Sequence, residues 1–303
     1  MPDPIIDVSG LVKTFGSFRA LDGFDLRLDP GEVRGFLGPN GAGKTTTIRV
    51  LLGMMRASGG RVRLFGQDPW RRAVALHRRL TYVPGDVALW PGLTGGQCLD
   101  VLGASGAPLD PARRDELVER FDLDPTKRVR DYSKGNRQKV ALVAALAARA
   151  DLLVLDEPTS GLDPLMEEVF RECVTERAAD GAAVLLSSHI LSEVEALCST
   201  VTIIRRGRAV RAGTVAELRG LARTTVHAVT PGTPPDLDGF DLHDLSVTPV
   251  ADGGAGHDVT FTVEPGDLEK VLRPLVDAGL TGLTVRPPSL DELFLSEYDG
   301  APA

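Results

Sequence analysis

The sequence predicts an α/β protein: a parallel sheet covered by helices, with antiparallel strands before it, a helical insertion within it and a small α+β domain after it. Three observations carry this reading. The segment "EVRGFL" runs through the glycine-rich loop "GPNGAGKTT" into the helical pattern "TTTIRVLLGMM". The segments "DLLVLDEP", "DPLMEEVFRECVTERAAD" and "AAVLLSSH" follow one another as strand, helix and strand. Both strands are unbroken apolar runs, as expected for strands buried on both faces of a parallel sheet. Beyond about residue 220 the chain changes to Pro-, Gly- and Asp-rich loops between short strands.

Each element has a local reason. "IIDVSGLV", "FDLRL" and "EVRGFL" alternate as antiparallel strands do. From about residue 86 to 150 the spacing turns helical, in "LTGGQCLDVLG", "DPARRDELVERFDL" and "RQKVALVAALAAR". Asp163 is an N-cap with Pro164 in the first turn of the helix that follows "LLVLDE". "ILSEVEALC" reads as a helix and "VTIIRRGRAVRAG" as a hairpin, closing a first domain of residues 1–220. In the second domain, residues 221–303, "DVTFTV" sets Val259, Phe261 and Val263 on one face. "GDLEKVLRPLVDAG" spaces Leu268, Val271, Leu272 and Leu275 as a helix that Pro274 should kink or shorten.

Composition narrows the function. The 303 residues are 43% hydrophobic, enough for a sizeable core. A net charge of -8 argues against a protein that coats nucleic acid, so the basic runs "RRAVALHRR" and Lys127 to Arg130 read as solvated faces. Cys98, Cys173 and Cys198 are odd in number and lack CxxC spacing, which suggests neither a disulfide framework nor a zinc site and fits a reducing cytosol. No apolar run is long enough to span a bilayer, so membrane contact is expected through a partner. Trp70, Trp90, Met54 and Met55 read as packing or interface residues.

The chemistry concentrates in two segments. Gly38, Pro39, Asn40, Gly41, Ala42, Gly43, Lys44, Thr45 and Thr46 satisfy GxxxxGK[ST] between a strand and a helix. Such a loop turns backbone N–H groups inward as an anion nest at a helix N-terminus, with Lys44 for the outer phosphates and Thr45 for Mg2+. "LLVLDEPTSGLD" then ends a buried strand in Asp156 and Glu157. An ionised carboxylate there is costly without a cationic partner, and a nucleotide-bound Mg2+ is one for Asp156. Glu157, aimed differently, suits a base that polarises the water attacking the γ-phosphate of ATP.

Residues 1 to about 220 resemble the nucleotide-binding domain of ABC transporters. The resemblance rests on "GPNGAGKT", "YSKGN", "LLVLDE", "SGLD" and "SSH", in that order. It implies a P-loop NTPase with a RecA-like core, an antiparallel β subdomain and a helical subdomain, dimerising head to tail around two ATP molecules. It further implies that Ser133 and Gly135 touch the γ-phosphate bound by the partner, that His189 holds that phosphate in line with Glu157, and that Asp163 couples the two sites. Phe15 matches the aromatic that stacks on adenine.

Two departures stand out. Tyr132, Lys134 and Asn136 replace the commoner residues of the "YSKGN" motif, and Gly85 stands where the family's Q-loop glutamine is expected. Asp86 follows Gly85 and could supply a Mg2+ ligand in its stead. The form "SKGNRQK" and the terminal "PPSLDELFLSEY" look like the separate ATPase subunit of ABC-2-type exporters, including the daunorubicin-resistance group. That implies a separate permease exporting a small lipophilic compound or drug, a homodimer or a heterodimer with a related subunit, and a cytoplasmic location against the inner face of the membrane. The alternative is a soluble nucleotide-dependent regulatory module with slow turnover, against which Glu157 and His189 count.

Overall fold

In the computed structural model, residues 3–188, 190–220, 223–232, 236–250 and 256–286 are described, and the chain divides into two compact units, Met1–Thr214 and Val215–Ala303. The first unit runs β1 (Ile6–Phe15), β2 (Phe18–Leu28), β3 (Val33–Leu37), α1 (Lys44–Leu51), β4 (Gly59–Leu64), α2 (Pro69–Leu76), β5 (Leu80–Val83) and α3 (Gly95–Ser105). It continues with α4 (Pro111–Arg120), α5 (Lys134–Ala147), β6 (Leu152–Asp156), α6 (Pro164–Ala179), β7 (Ala183–Ser188), α7 (Leu191–Leu197), β8 (Thr200–Arg205) and β9 (Arg208–Thr214).

The central sheet has the order β5-β6-β7-β3-β8-β9, parallel except for β9. Every residue of β6 and β7 is buried, which accounts for their unbroken apolar runs. The β8–β9 hairpin turns at Arg206 and Gly207, both at positive φ, the geometry that suits the right-handed twist of paired strands. A separate antiparallel sheet has the order β2-β1-β4. Phe24 of β2 and Phe36 of β3 meet at 5.5 Å between ring centroids, joining the two sheets in one core.

Here the structure corrects one expectation. β3 alternates like an antiparallel strand but is central in the parallel sheet, and β4 takes the third antiparallel place. The alternation has two physical causes. Arg34 is tolerated at half-burial because Glu32 pairs with it at 2.7 Å and Thr202 accepts from it at 3.1 Å. Gly35 is needed because any Cβ there would overlap the Val194 side chain of α7.

Helices α3, α4 and α5 form the insertion between β5 and β6. Thr94 and Gln97 close a reciprocal capping box on α3, and Asp110 caps α4 before Pro111. Helix α5 opens with a polar segment, Lys134 to Lys139, and is apolar all round from Val140 to Ala147; its last ten residues, Gln138 to Ala147, are buried. The three cysteines are free thiols, all buried. Among the described residues no helix is long and apolar enough to cross a membrane.

The second unit begins with α8 (Val215–Arg219) and holds β10 (Thr224–Pro231), β11 (Leu242–Pro249), β12 (Gly256–Val263), α9 (Leu268–Asp277) and β13 (Gly282–Arg286). Its antiparallel sheet has the order β11-β12-β10-β13. Val226, Ala228, Val259, Phe261 and Val263 form one core with Val271 and Leu275 of α9. Pro274 does not end α9, which runs on to Asp277 and closes with Ala278 N–H donating to the Pro274 carbonyl at 3.0 Å. The segment "SLDELF", residues 289–294, lies outside the described residues.

Candidate functional site

The parallel strands β3, β6 and β7 end at one edge of the sheet, with Asp156 in register with Ser187 and Leu37 with Ser188. The loop Gly38–Gly43 leaves β3 there and delivers the chain to the N-terminus of α1. Gly43 caps that helix at φ 116°, a left-handed conformation that glycine alone takes at low cost, and a Cβ on it would press on Leu21 Cδ2 at 2.8 Å. A glycine-rich loop that runs straight from a strand end into a helix start is the local architecture for an anion.

A cleft of about 580 Å³ opens over this loop. Pro39, Asn40, Gly41, Gly43, Lys44, Thr45 and Thr46 line it, together with Asp156 and Glu157 from the end of β6 and Gly85 and Asp86 from the segment after β5. Phe15 stands at the rim, 47% exposed, with the Lys13 ammonium 5.0 Å from its ring centroid. It is thus a presented ring face, not a core residue. Gly38 and Ala42 shape the loop from behind: a Cβ on Gly38 would reach Ile204 Cγ2 at 2.8 Å, and Ala42 is buried.

Charge is concentrated where water is scarce. Lys44 is 6% exposed and Asp156 7% exposed. The Lys44 ammonium donates to the Gly38 carbonyl and, at 3.3 Å, to that of Pro39. Burial lowers its pKa from the ordinary lysine value, an effect that Glu157 and Asp156 oppose. Burial pushes the Asp156 carboxyl upward, opposed by the hydrogen bond donated by Ser187 Oγ and reinforced by the charge of Glu157. Glu157 itself adopts φ 49°, with its N–H bonded to the Ser187 carbonyl at 2.9 Å. A non-glycine residue at positive φ stores strain, and here it turns the chain sharply out of the sheet beside the phosphate loop.

Gly85 has a steric role. A Cβ on it would lie 3.3 Å from the Asp156 carbonyl oxygen and 3.7 Å from Glu157 Cβ, so this segment passes close over the acidic pair. Asp86 is thereby brought to the cleft that holds Asp156 and Glu157.

The "YSKGN" residues lie elsewhere on the unit. Ser133 caps α5, its Oγ accepting from Asn136 N–H at 3.2 Å, and neither Ser133 nor Gly135 lines the cleft. The substituted residues have local partners. The Tyr132 hydroxyl donates to the Asp124 carbonyl, and Lys134 Nζ donates to Ser160 Oγ at 2.8 Å. Gln138 Nε2 donates to the Pro158 carbonyl at 2.8 Å, so α5 grips the segment after Glu157 at two points. Asp163 caps α6, accepting from Met166 N–H at 3.0 Å. His189 lies outside the described residues.

Four residues of the site escape the sequence patterns. Phe18, 64% exposed, forms a second aromatic wall of the cleft, and Arg49 and Tyr82 line it too. Glu193 of α7 accepts from Thr159 Oγ1 at 2.7 Å and from Ser188 Oγ at 2.8 Å. It therefore ties the segment leaving Glu157 to the strand end before residue 189. The pairing of Phe15 with Phe18 at the β1–β2 turn was the available signal for the aromatic wall; none marked Glu193.

A phosphate loop at a helix start, with two carboxylates at the neighbouring strand end of a mainly parallel sheet, defines a P-loop NTPase. The ABC transporter family profile matches residues 21–160. Over 313 residues the chain is 37% identical to the daunorubicin resistance ATP-binding protein DrrA3 of Streptomyces coeruleorubidus, covering 97% of this chain and 96% of that one. It is 33% identical over 317 residues to the daunorubicin/doxorubicin resistance ATP-binding protein DrrA of Streptomyces peucetius, covering 100% and 94%. A solved ATP-binding subunit of an ABC transporter superposes with a TM-score of 0.67 at 30% identity, over 71% of this chain and 92% of that one. The chain belongs to the ABC transporter family, as an ATP-binding subunit and ATPase whose relatives include drug-resistance proteins.

Proposed function

We propose that the protein hydrolyses ATP in a head-to-tail dimer to drive a separate ABC-2-type permease, which exports a small lipophilic compound or drug and holds the ATPase at the inner face of the cell membrane. One observation carries the coupling. Tyr82 and Pro84 form a wall shared by the nucleotide cleft and a second, largely apolar groove of about 330 Å³. That groove runs from Leu52 and Met54 past Val87 and Leu89 to Ala144 and Ala145 of α5. A permease segment seated there would feel any shift of the Gly85–Asp86 segment over the acids. The daunorubicin resistance of the relatives supports a drug-like cargo.

Within the cleft, Lys44 and the loop N–H groups would bind the phosphates, and Phe15, with Phe18, would stack on the adenine. The donors offered beside the phosphates, Thr45, Asp156 and Asp86, are hard oxygens and fit Mg2+, which would neutralise charge on the phosphates. Glu157 would accept the proton of the attacking water, with His189 holding the γ-phosphate. Because Ser133 and Gly135 do not line the cleft, their α5 N-terminus would meet nucleotide on a second subunit rather than on this one, and Asp163 would link the two sites. Domain closure would then assemble each site and opening would reset it.

The direct test is isolation of the full chain from its native membranes in mild detergent, with mass spectrometry of what accompanies it. A stoichiometric multi-span permease is expected. Recovery from the soluble fraction alone would favour the nucleotide-dependent regulatory module.

A further inference from the structure

We propose that the face of α2 centred on Trp70 binds the anionic surface of a lipid bilayer directly, independently of any permease. Two shallow grooves meet at this helix. One, of about 600 Å³, is lined by Arg56, Arg61, Arg63, Arg71 and Trp70; the other, of about 490 Å³, by Trp70, Arg71, Arg72, Val74 and Arg78. Six arginines thus line the two grooves that share one tryptophan, on a chain whose net charge is -8. Only two of them have a carboxylate partner among the described residues, Arg61 with Asp7 at 3.3 Å and Arg71 with Asp68 at 3.7 Å. Arg56, Arg72 and Arg78 are exposed and Arg63 half-buried, none paired with a described carboxylate.

The apolar component selects the partner. Trp70 is 49% exposed and Val74 80% exposed, both in the groove that Arg72 and Arg78 flank. Tryptophan is favoured at the level of lipid headgroups, where its ring is half in hydrocarbon and its N–H meets water. Arginines around it meet the phosphates of anionic lipids. A nucleic-acid backbone would satisfy the arginines but has no use for an exposed valine beside them. The eight-residue α2 is kinked at Arg72 and far too short to span, so the contact is peripheral. Such a contact would hold the ATPase at the membrane between encounters with its partner and restrict its orientation there.

The test uses the purified full chain and no permease, so its outcome is separate from that of the transport reading. Sedimentation is measured with vesicles of phosphatidylcholine alone and of phosphatidylcholine with phosphatidylglycerol in equal parts. Binding is expected to the anionic vesicles only and to weaken with added salt. Each basic residue at such a surface contributes about fivefold to partitioning, so the combined Arg71→Glu, Arg72→Glu and Arg78→Glu variant should lose well over tenfold. These side chains lie outside the nucleotide cleft, so ATPase activity reports that the variant is folded. In a Trp90→Phe chain, Trp70 is the remaining tryptophan and its emission should shift to the blue on anionic vesicles. Absence of binding by the unaltered chain, equal binding to neutral vesicles, undiminished binding by the folded triple variant, or preference for a DNA oligonucleotide over vesicles would each overturn the proposal.

Discussion

Replacing Glu193 by Ala should slow ATP hydrolysis without weakening ATP binding. The carboxylate receives two hydrogen bonds, from Thr159 Oγ1 at 2.7 Å and Ser188 Oγ at 2.8 Å, and so clamps together the chain leaving Glu157 and the strand end before residue 189. Hydrogen bonds to a charged group contribute about 1.5 to 3 kcal/mol each. The site is half-buried, so water replaces part of that loss. If about half of the pair's contribution, roughly 1.5 to 3 kcal/mol, is felt in the transition state, kcat falls about tenfold to a hundredfold. Neither hydroxyl lines the nucleotide cleft, so the Kd for ATP should move less than about twofold. Glu193→Gln keeps one acceptor and offers Ser188 a donor instead, while Ser188 Oγ already receives Ile190 N–H at 2.9 Å; an intermediate loss is expected. Phosphate release gives kcat, titration with a fluorescent nucleotide gives Kd, and thermal unfolding separates a global effect from a local one. A folded Ala variant with kcat within twofold of the unaltered protein, or with ATP affinity lost in parallel, would refute the reasoning.

Lys44→Ala should weaken ATP binding about thirtyfold or more, since it removes a 6%-exposed ammonium from the phosphate loop; equilibrium dialysis with labelled nucleotide measures it. Glu157→Gln should retain ATP binding, lose about 10² to 10⁴ in turnover and accumulate as a closed dimer in gel filtration with ATP; a monomer with and without ATP would contradict the head-to-tail model. Asp86→Ala should impair Mg2+-dependent turnover more than nucleotide binding, and an unchanged rate across a Mg2+ titration would remove Asp86 from the mechanism. Burial raises the Asp156 pKa, so in the nucleotide-free protein the native state holds this proton at pH values where the unfolded chain has released it. Stability therefore falls as pH rises from the ordinary value near 3.8 through the raised one, and Asp156→Asn removes that dependence. In urea unfolding without nucleotide the Asn variant should be the more stable at neutral pH, with an advantage that narrows on acidification; a widening gap would reverse the assignment.

What could be read in the sequence was whatever is decided within a few residues of chain. The phosphate loop is such a case, because its anion nest is made by consecutive backbone N–H groups and needs only glycines, Lys44 and the following helix. Asp156 and Glu157 are another, since an acid ending an apolar run is anomalous wherever the run lies. Capping was equally local: Asp163 before Pro164 does what its residue type suggests. The misreading of β3 had a tertiary cause, because Arg34 and Gly35 interrupt its apolar run for reasons supplied by Glu32, Thr202 and α7. Phe18, Arg49 and Tyr82 reach the cleft from three different elements and carry no spacing that relates them. Glu193 is the sharpest instance, since in "LSEVEAL" it is indistinguishable from a solvated helix residue, and only the packing of α7 brings its carboxylate to two hydroxyls 5 and 34 positions away. The same distinction applies to the arginine cluster: "RRAVALHRR" alone is a solvated face, and what changes its meaning is the convergence of Arg61 and Arg63 from β4, and of Arg56 from the segment before it, on the groove that Trp70 lines. Long-range convergence of charge around an exposed aromatic is a property of the fold, and it is there that a surface acquires a partner.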